Sequence, residues 1–221
     1  MPIINMVYKK KKWWKPWANT IAYYKFDWNL NDSSGNNHNL GSALYGTFNY
    51  TTTTQWAKYV YCSSAAYPSP ISLPYKSDGY TINMWWKGQT GSNVILDFQP
   101  ATSGVNYWNR IIYKSATSLS YVISRSDVTV PDLTTWKNIC IVNSSNVSYL
   151  YINNSLITSQ NLNSYNMNIP YFWFNRAGYA WSPQNTSWAM SMSELIIEDK
   201  ARTAQEIADY FNQTKSLYGI N

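Results

Sequence analysis

Residues 136–157, WKNICIVNSSNVSYLYINNSLI, alternate with a period of two. Trp136, Asn138, Cys140 and Val142 fall on one face, and Lys137, Ile139, Ile141 and Asn143 on the other. After a Ser-Ser step, Val147, Tyr149 and Tyr151 face one way and Ser148, Leu150 and Ile152 the other. β-Branched and aromatic runs broken by short Asn/Ser turns predict strand, turn, strand, turn, strand. Both faces carry apolar groups, so this sheet is expected inside a layered structure rather than as a one-sided surface hairpin. The same alternation recurs upstream, where Ile82, Met84 and Trp86 share one face and Thr81, Asn83 and Trp85 the other. Further strands are predicted at 20–28, 55–61, 69–73, 80–87, 93–98, 107–114, 119–124 and 188–202, with prolines between several of them, where proline is tolerated.

One segment changes period. Thr203-Ala-Gln-Glu206 has the form of a capping box, and Ala204, Ile207, Ala208 and Phe211 follow at helical spacing, predicting a helix over 204–216. At 221 residues the chain is long enough for one all-β domain with a sizeable core, and no internal repeat is evident. Twelve Trp and twenty Tyr against nine Gly suit twisted, aromatic-rich strands.

Charge divides the chain at residue 19. The first nineteen residues hold Lys9, Lys10, Lys11, Lys12 and Lys15 and no acid, so of a net charge of +6 only +1 belongs to residues 20–221. A nearly neutral body argues against nucleic acid as its partner. Residues 1–19 show neither strand nor helix period and read as a basic, Trp-rich arm. Lys9, Lys10, Lys11 and Lys12 would neutralise an acidic surface, while Trp13, Trp14 and Trp17 would fill pockets on another structural protein. The plainer reading of the same residues is a solvated terminus. Cys62 and Cys140 lie in strand-like contexts and are expected as buried free thiols rather than a disulfide. No stretch approaches the ~20 apolar residues of a membrane helix, and no signal peptide is visible.

The strand-turn-strand segment resembles the "W-x-x-I-a-v … v-x-l-Y-v-N-G-x-l" signature of concanavalin A-like, laminin G-like jelly rolls, with Trp136, Tyr151 and Asn153 in the matching places. Asn154 stands where that family usually has Gly, and Asn tolerates a left-handed turn position. The opening YYKFDWNLNDSSGNNHNLG is similar to the family's "Y-x-F-D-G-n-l-n-D-s-S-G-n-g-n", with Trp28 in place of Gly. The segments from Gly79, from Asn93, from Ile169 and from Trp188, and the closing helix, resemble the family's later strands and its final helix. The resemblance runs from about Ile21 to Lys215. It implies an all-β, concanavalin A-like jelly-roll sandwich of two antiparallel sheets with one C-terminal helix, over residues 20–221.

In relatives the opening loop can help hold calcium, and Asp27 and Asp32 are the candidate ligands here. The alternative is that Asp32, Ser33 and Asn36 satisfy turn backbone. Some proteins of this fold are glucanases whose catalytic strand carries paired acids. Glu194, Ile196 and Glu198 share a strand face, but Ile196 stands where an acid is expected, so no enzyme is predicted. His38, the only histidine, has no nucleophile elbow to serve. What remains is recognition. Aromatic platforms with Asn and Arg partners complement sugar rings, and Trp108, Asn109, Arg176, Tyr179, Trp181 and Asn185 are the candidate ligand-binding residues. The expected partner is a glycan or cell-surface polysaccharide. A recognition domain without a secretion leader can reach the outside on a phage particle released by lysis, so the expected location is a virion surface. A purely structural capsid decoration protein is the alternative.

Overall fold

The computed structural model describes residues 17–62, 67–68, 71–72, 79–88, 93–99, 110–121, 126–145, 147–161, 171–174 and 189–221. In chain order its strands are β1 (Thr20–Tyr24), β2 (Ala43–Tyr45), β3 (Asn49–Thr52), β4 (Lys58–Cys62), β5 (Tyr67–Pro68), β6 (Ile71–Ser72), β7 (Tyr80–Gly88) and β8 (Asn93–Gln99). They continue as β9 (Arg110–Ser115), β10 (Ser118–Tyr121), β11 (Ser126–Thr129), β12 (Lys137–Ser144), β13 (Val147–Ile152), β14 (Ser155–Asn161), β15 (Tyr171–Phe174) and β16 (Met190–Glu198). Helix α1 (Ala204–Thr214) follows, and a 3₁₀ turn, Lys215–Tyr218, extends it.

The strands form two large antiparallel sheets. The first runs β14-β13-β12-β7-β16-β4-β3, with β1 also on β16, and the second runs β11-β10-β9-β8-β15-β6. The predicted alternation holds in the central strands. Ile82, Met84, Trp86, Ile139, Ile141, Leu150 and Ile152 share one apolar cluster with Ile95 and Leu96 of β8 and Leu119 of β10, which is the core between the sheets. Their neighbours Trp85, Cys140 and Val142 point to the other face, where α1 covers them with Ile207, Tyr210 and Phe211. The first sheet is thus buried on both sides, as its two-sided apolar pattern requires. Cys62 lies in the inner core and Cys140 under the helix, both buried and neither in a disulfide.

Turn chemistry sets the register. Asn153 and Asn154, joining β13 to β14, adopt φ of 48° and 67°, the positive values a two-residue hairpin of the I′ kind demands at both positions. The Asn153 side chain also accepts from the Asn138 amide at 2.9 Å, tying the turn to β12. Gly79, at φ 113°, enters β7 where an added Cβ would lie 2.6 Å from the Asn143 carbonyl oxygen.

The helix begins at the predicted capping box: the Glu206 amide donates to Thr203 Oγ1 at 3.2 Å and the Thr203 amide to Glu206 Oε2 at 2.9 Å. Its buried stripe differs from the prediction. Ile207 and Phe211 face the sheet as expected, but Ala204 is exposed, and Tyr210 and Thr214 complete the stripe. Strands β2, β3, β5 and β11 lie outside the predicted strands. All four residues of β3 are half-buried, as befits an edge strand without a strong apolar face.

Candidate functional site

The loop after β1 turns on one carboxylate. Asp32 Oδ1 accepts from the amides of Tyr23 and Ser34 at 2.9 and 2.8 Å. Its Oδ2 accepts from the Ser34 hydroxyl at 2.7 Å and the His38 amide at 3.0 Å. Asn36 Nδ2 reaches back to the carbonyls of Thr20 and Ile21 at 2.7 and 2.9 Å. Four N–H and O–H donors point their hydrogens at Asp32, so the carboxylate does not fit a calcium ligand set. Of the two readings open in the sequence, the geometry supports the turn anchor for Asp32. Asp27 has a weaker partner, Asn29 Nδ2 at 3.4 Å. Among the described residues no group of three or more His, Cys, Asp or Glu side chains gathers to hold a metal.

The same loop presents a tryptophan. Trp28 is 60% exposed and sits at φ 77°. Glycine adopts that conformation freely, whereas a bulky residue pays about 1–2 kcal/mol. Its ring lies 6.5 Å from that of Tyr50, on edge strand β3, at an interplanar angle of 48°. Tyr50 packs its inner side on the core. Trp56, in the β3–β4 turn, is also exposed and at positive φ, 71°. A second aromatic group is more closed: Trp136 is edge-on to Tyr59 at 5.1 Å, tilted on Tyr218 at 5.3 Å and overlaid by Lys87.

The two acids of β16 are both buried. Register against β7 shifts between Ser193 and Ile196, where the edge partner of β16 changes from β4 to β1. Glu194 occupies this bulge at φ 49° and is buried beneath α1, where it accepts from the Tyr210 hydroxyl at 2.7 Å and from the Tyr23 hydroxyl. Burial drives its carboxyl above the usual range, against the opposing pull of these hydroxyls and of Lys25. Glu198 is buried too, held by the Arg202 guanidinium through Nε and Nη2, and raised by burial despite that pairing. Among the described residues Glu198 borders a cavity of about 10 Å³ with Asn83, Cys140, Arg202 and Tyr210, room for about one water molecule.

Trp17 is not on a free arm. Its ring lies under the Arg202 guanidinium, and its amide donates to Thr20 Oγ1 at 3.0 Å. The Asn19 carbonyl accepts from the Asp199 amide at 3.0 Å, so residues 17–19 belong to the body and the predicted boundary at 19 moves back. The reason is electrostatic: the planar cation of Arg202, already paired with Glu198, offers a face on which an aromatic ring stacks. The remaining anchor candidates Lys9, Lys10, Lys11, Lys12, Trp13 and Trp14 lie outside the described residues, as do Trp108, Asn109, Arg176, Tyr179, Trp181 and Asn185. Within the described residues Trp28 and Tyr50 form an aromatic pair, and the departure from Gly at Trp28 is its signal in the sequence.

Residues 62–208 match the family model described as the concanavalin A-like lectin/glucanases superfamily. The chain belongs to this superfamily. Solved structures carry the same fold. The binding domain of Paraclostridial Mosquitocidal Protein 1 is similar at a TM-score of 0.65 and 16% identity, covering 91% of this chain and 55% of that one. The binding domain of botulinum neurotoxin DC, solved in complex with SialylT, gives 0.62 and 14%, covering 90% and 52%. A structure of botulinum neurotoxin type C, whose cell entry depends on interaction with two ganglioside molecules, gives 0.60 and 18%, covering 90% and 51%. This superfamily member therefore spans about half the length of the toxin domains it matches. No curated protein matches it.

Proposed function

We propose that this domain is a non-catalytic recognition module for glycans, carried on a larger assembly through the basic, Trp-rich residues 1–16. The observation that bears most weight is the use of Glu194 and Glu198. The strand that would supply a hydrolytic acid pair commits both carboxylates to holding α1 and Arg202 beneath the sheet. With hydrolysis disfavoured, the lectin side of the superfamily is the better reading. The similar toxin domains, one solved with SialylT and one tied to gangliosides, support glycan as the ligand class. The proposed address, a phage or similar particle surface, rests on the sequence of the arm: five lysines and Trp13 and Trp14 suit docking on an acidic protein surface.

A glycan array probed with the full chain tests recognition. Selective binding supports it. An array without binding, or turnover of an oligosaccharide that is lost in Glu194→Gln, overturns it. Deletion of residues 1–16 is expected to abolish incorporation into the particle, and unchanged incorporation would refute the anchor.

A further inference from the structure

We infer that Trp28 and Tyr50 form a stacking platform for a neutral pyranose ring, with Asp27 and Asn29 supplying hydrogen-bond partners to its hydroxyls. This inference rests on the glycan reading and names the site within it.

Three features of the chain converge at this point. Trp28 keeps 60% of its surface in water, although an indole is among the costliest groups to leave there. It does so at φ 77°, a conformation that glycine would adopt without strain. A residue that is both strained and exposed adds little to folding, and such outliers cluster at ligand sites. The ring is not isolated. Tyr50 lies 6.5 Å away and is tilted by 48°, so the pair makes a shallow aromatic corner at the open edge of the larger sheet. Tyr50 is fixed from behind by the core, which holds the corner in place before any ligand arrives. Trp56, though more exposed at 76%, has no such partner ring among the described residues.

The flanks decide the ligand. Asp27 and Asn29 adjoin Trp28 on either side in the chain, and Asn29 Nδ2 lies 3.4 Å from both the Asp27 carbonyl oxygen and Asp27 Oδ1. Asn29 Oδ1 accepts from the Asn31 amide at 2.8 Å. Asp27 therefore keeps acceptor capacity at Oδ2, and Asn29 a second lone pair on Oδ1, for sugar hydroxyls. A pyranose offers an apolar C–H face to an aromatic ring and a rim of hydroxyls to such groups. The Asp27 charge repels carboxylated sugars, so the ring is expected to be neutral rather than sialylated. It equally opposes insertion of Trp28 into an anionic bilayer.

The test uses the full chain on an array holding neutral and sialylated oligosaccharides, with Trp28→Gly, Trp28→Ala and Asp27→Asn alongside. The wild-type protein is expected to bind neutral glycans, and both Trp28 variants to bind about tenfold or more weakly. Trp28→Gly places glycine where φ is positive, so its melting temperature should stay within about 4 °C of wild type; Asp27→Asn checks the flank without touching the ring. Full binding by the Trp28 variants would overturn this site and leave the glycan reading standing. Binding of sialylated glycans alone would overturn the ligand class. Absence of glycan binding, together with Trp28-dependent sedimentation on phosphatidylserine-containing vesicles, would overturn both the platform and the glycan reading.

Discussion

Replacing Tyr210 by Phe removes one oxygen and leaves the ring in its apolar site among Trp85, Ile196 and Phe211. The oxygen lost is the donor to Glu194 Oε2 at 2.7 Å. A hydrogen bond to a charged group contributes about 1.5–3 kcal/mol, and one between neutral groups about 0.5–1.5 kcal/mol. The cost therefore depends on the charge of Glu194. Burial raises the Glu194 carboxyl above the ordinary carboxylate range, so the folded state holds the proton more tightly than the unfolded chain. Folding stability supplied by that proton is present at acid pH and is lost as pH rises through the raised value. Above that value the carboxylate is ionised and leans on its hydroxyl donors. Tyr210→Phe is thus expected to cost about 1.5–3 kcal/mol where Glu194 is ionised and to fall towards about 1 kcal/mol where it is protonated. Urea denaturation as a function of pH, with Glu194→Gln as the background that abolishes the difference, reads this directly. A loss that stays the same across the pH range, or one under about 0.5 kcal/mol throughout, would refute the buried-carboxylate account.

Arg202→Ala leaves Glu198 buried without its cation and takes away the platform for Trp17, so a loss of about 3–5 kcal/mol is expected in the same urea melts. Gly79→Ala drives a Cβ to 2.6 Å from the Asn143 carbonyl at a φ of 113°, and should lower stability by more than about 1 kcal/mol, measured by thermal melting. Asn154→Gly should leave stability unchanged or slightly raised, because Asn-Gly is the preferred pair for this hairpin turn. Thr203→Ala removes the side-chain half of the capping box and should cost about 1 kcal/mol, with increased hydrogen exchange in the first turn of α1 as its signature.

The layering was legible because a strand's period is local. Ile139 and Ile141 go inward and Cys140 and Val142 outward simply because side chains alternate, and the helix that covers the outer set announces itself by its cap. What could not be read depends on partners distant in the chain. Tyr210 follows an aspartate and looks amphipathic, and only the presence of Glu194 beneath it explains its burial. The bulge that aims Glu194 arises where β16 changes edge partners, a fact of topology that no spacing encodes. Trp17 looked like part of the arm because the arm's composition continues through it, while the Arg202 that holds it lies 185 positions on. The exposed corner at Trp28 was half visible: the sequence shows a bulky residue where a glycine is usual, but not that Tyr50 stands beside it.

The tie between Trp17 and Arg202 also has a mechanical meaning. Any tension carried by residues 1–16 enters the body at Trp17. It meets first the bond from the Trp17 amide to Thr20 and the stack on Arg202. Behind these, β1 lies antiparallel to β16, with Thr20 opposite Glu198 and Tyr24 opposite Leu195. A pull along β1 loads those ladder bonds together in shear, instead of opening them one at a time like a zipper. Strand β16 in turn is gripped by β7 at the centre of the sheet. The described body is therefore arranged to resist a pull applied at Trp17 without unravelling, a property that the proposed tether would use.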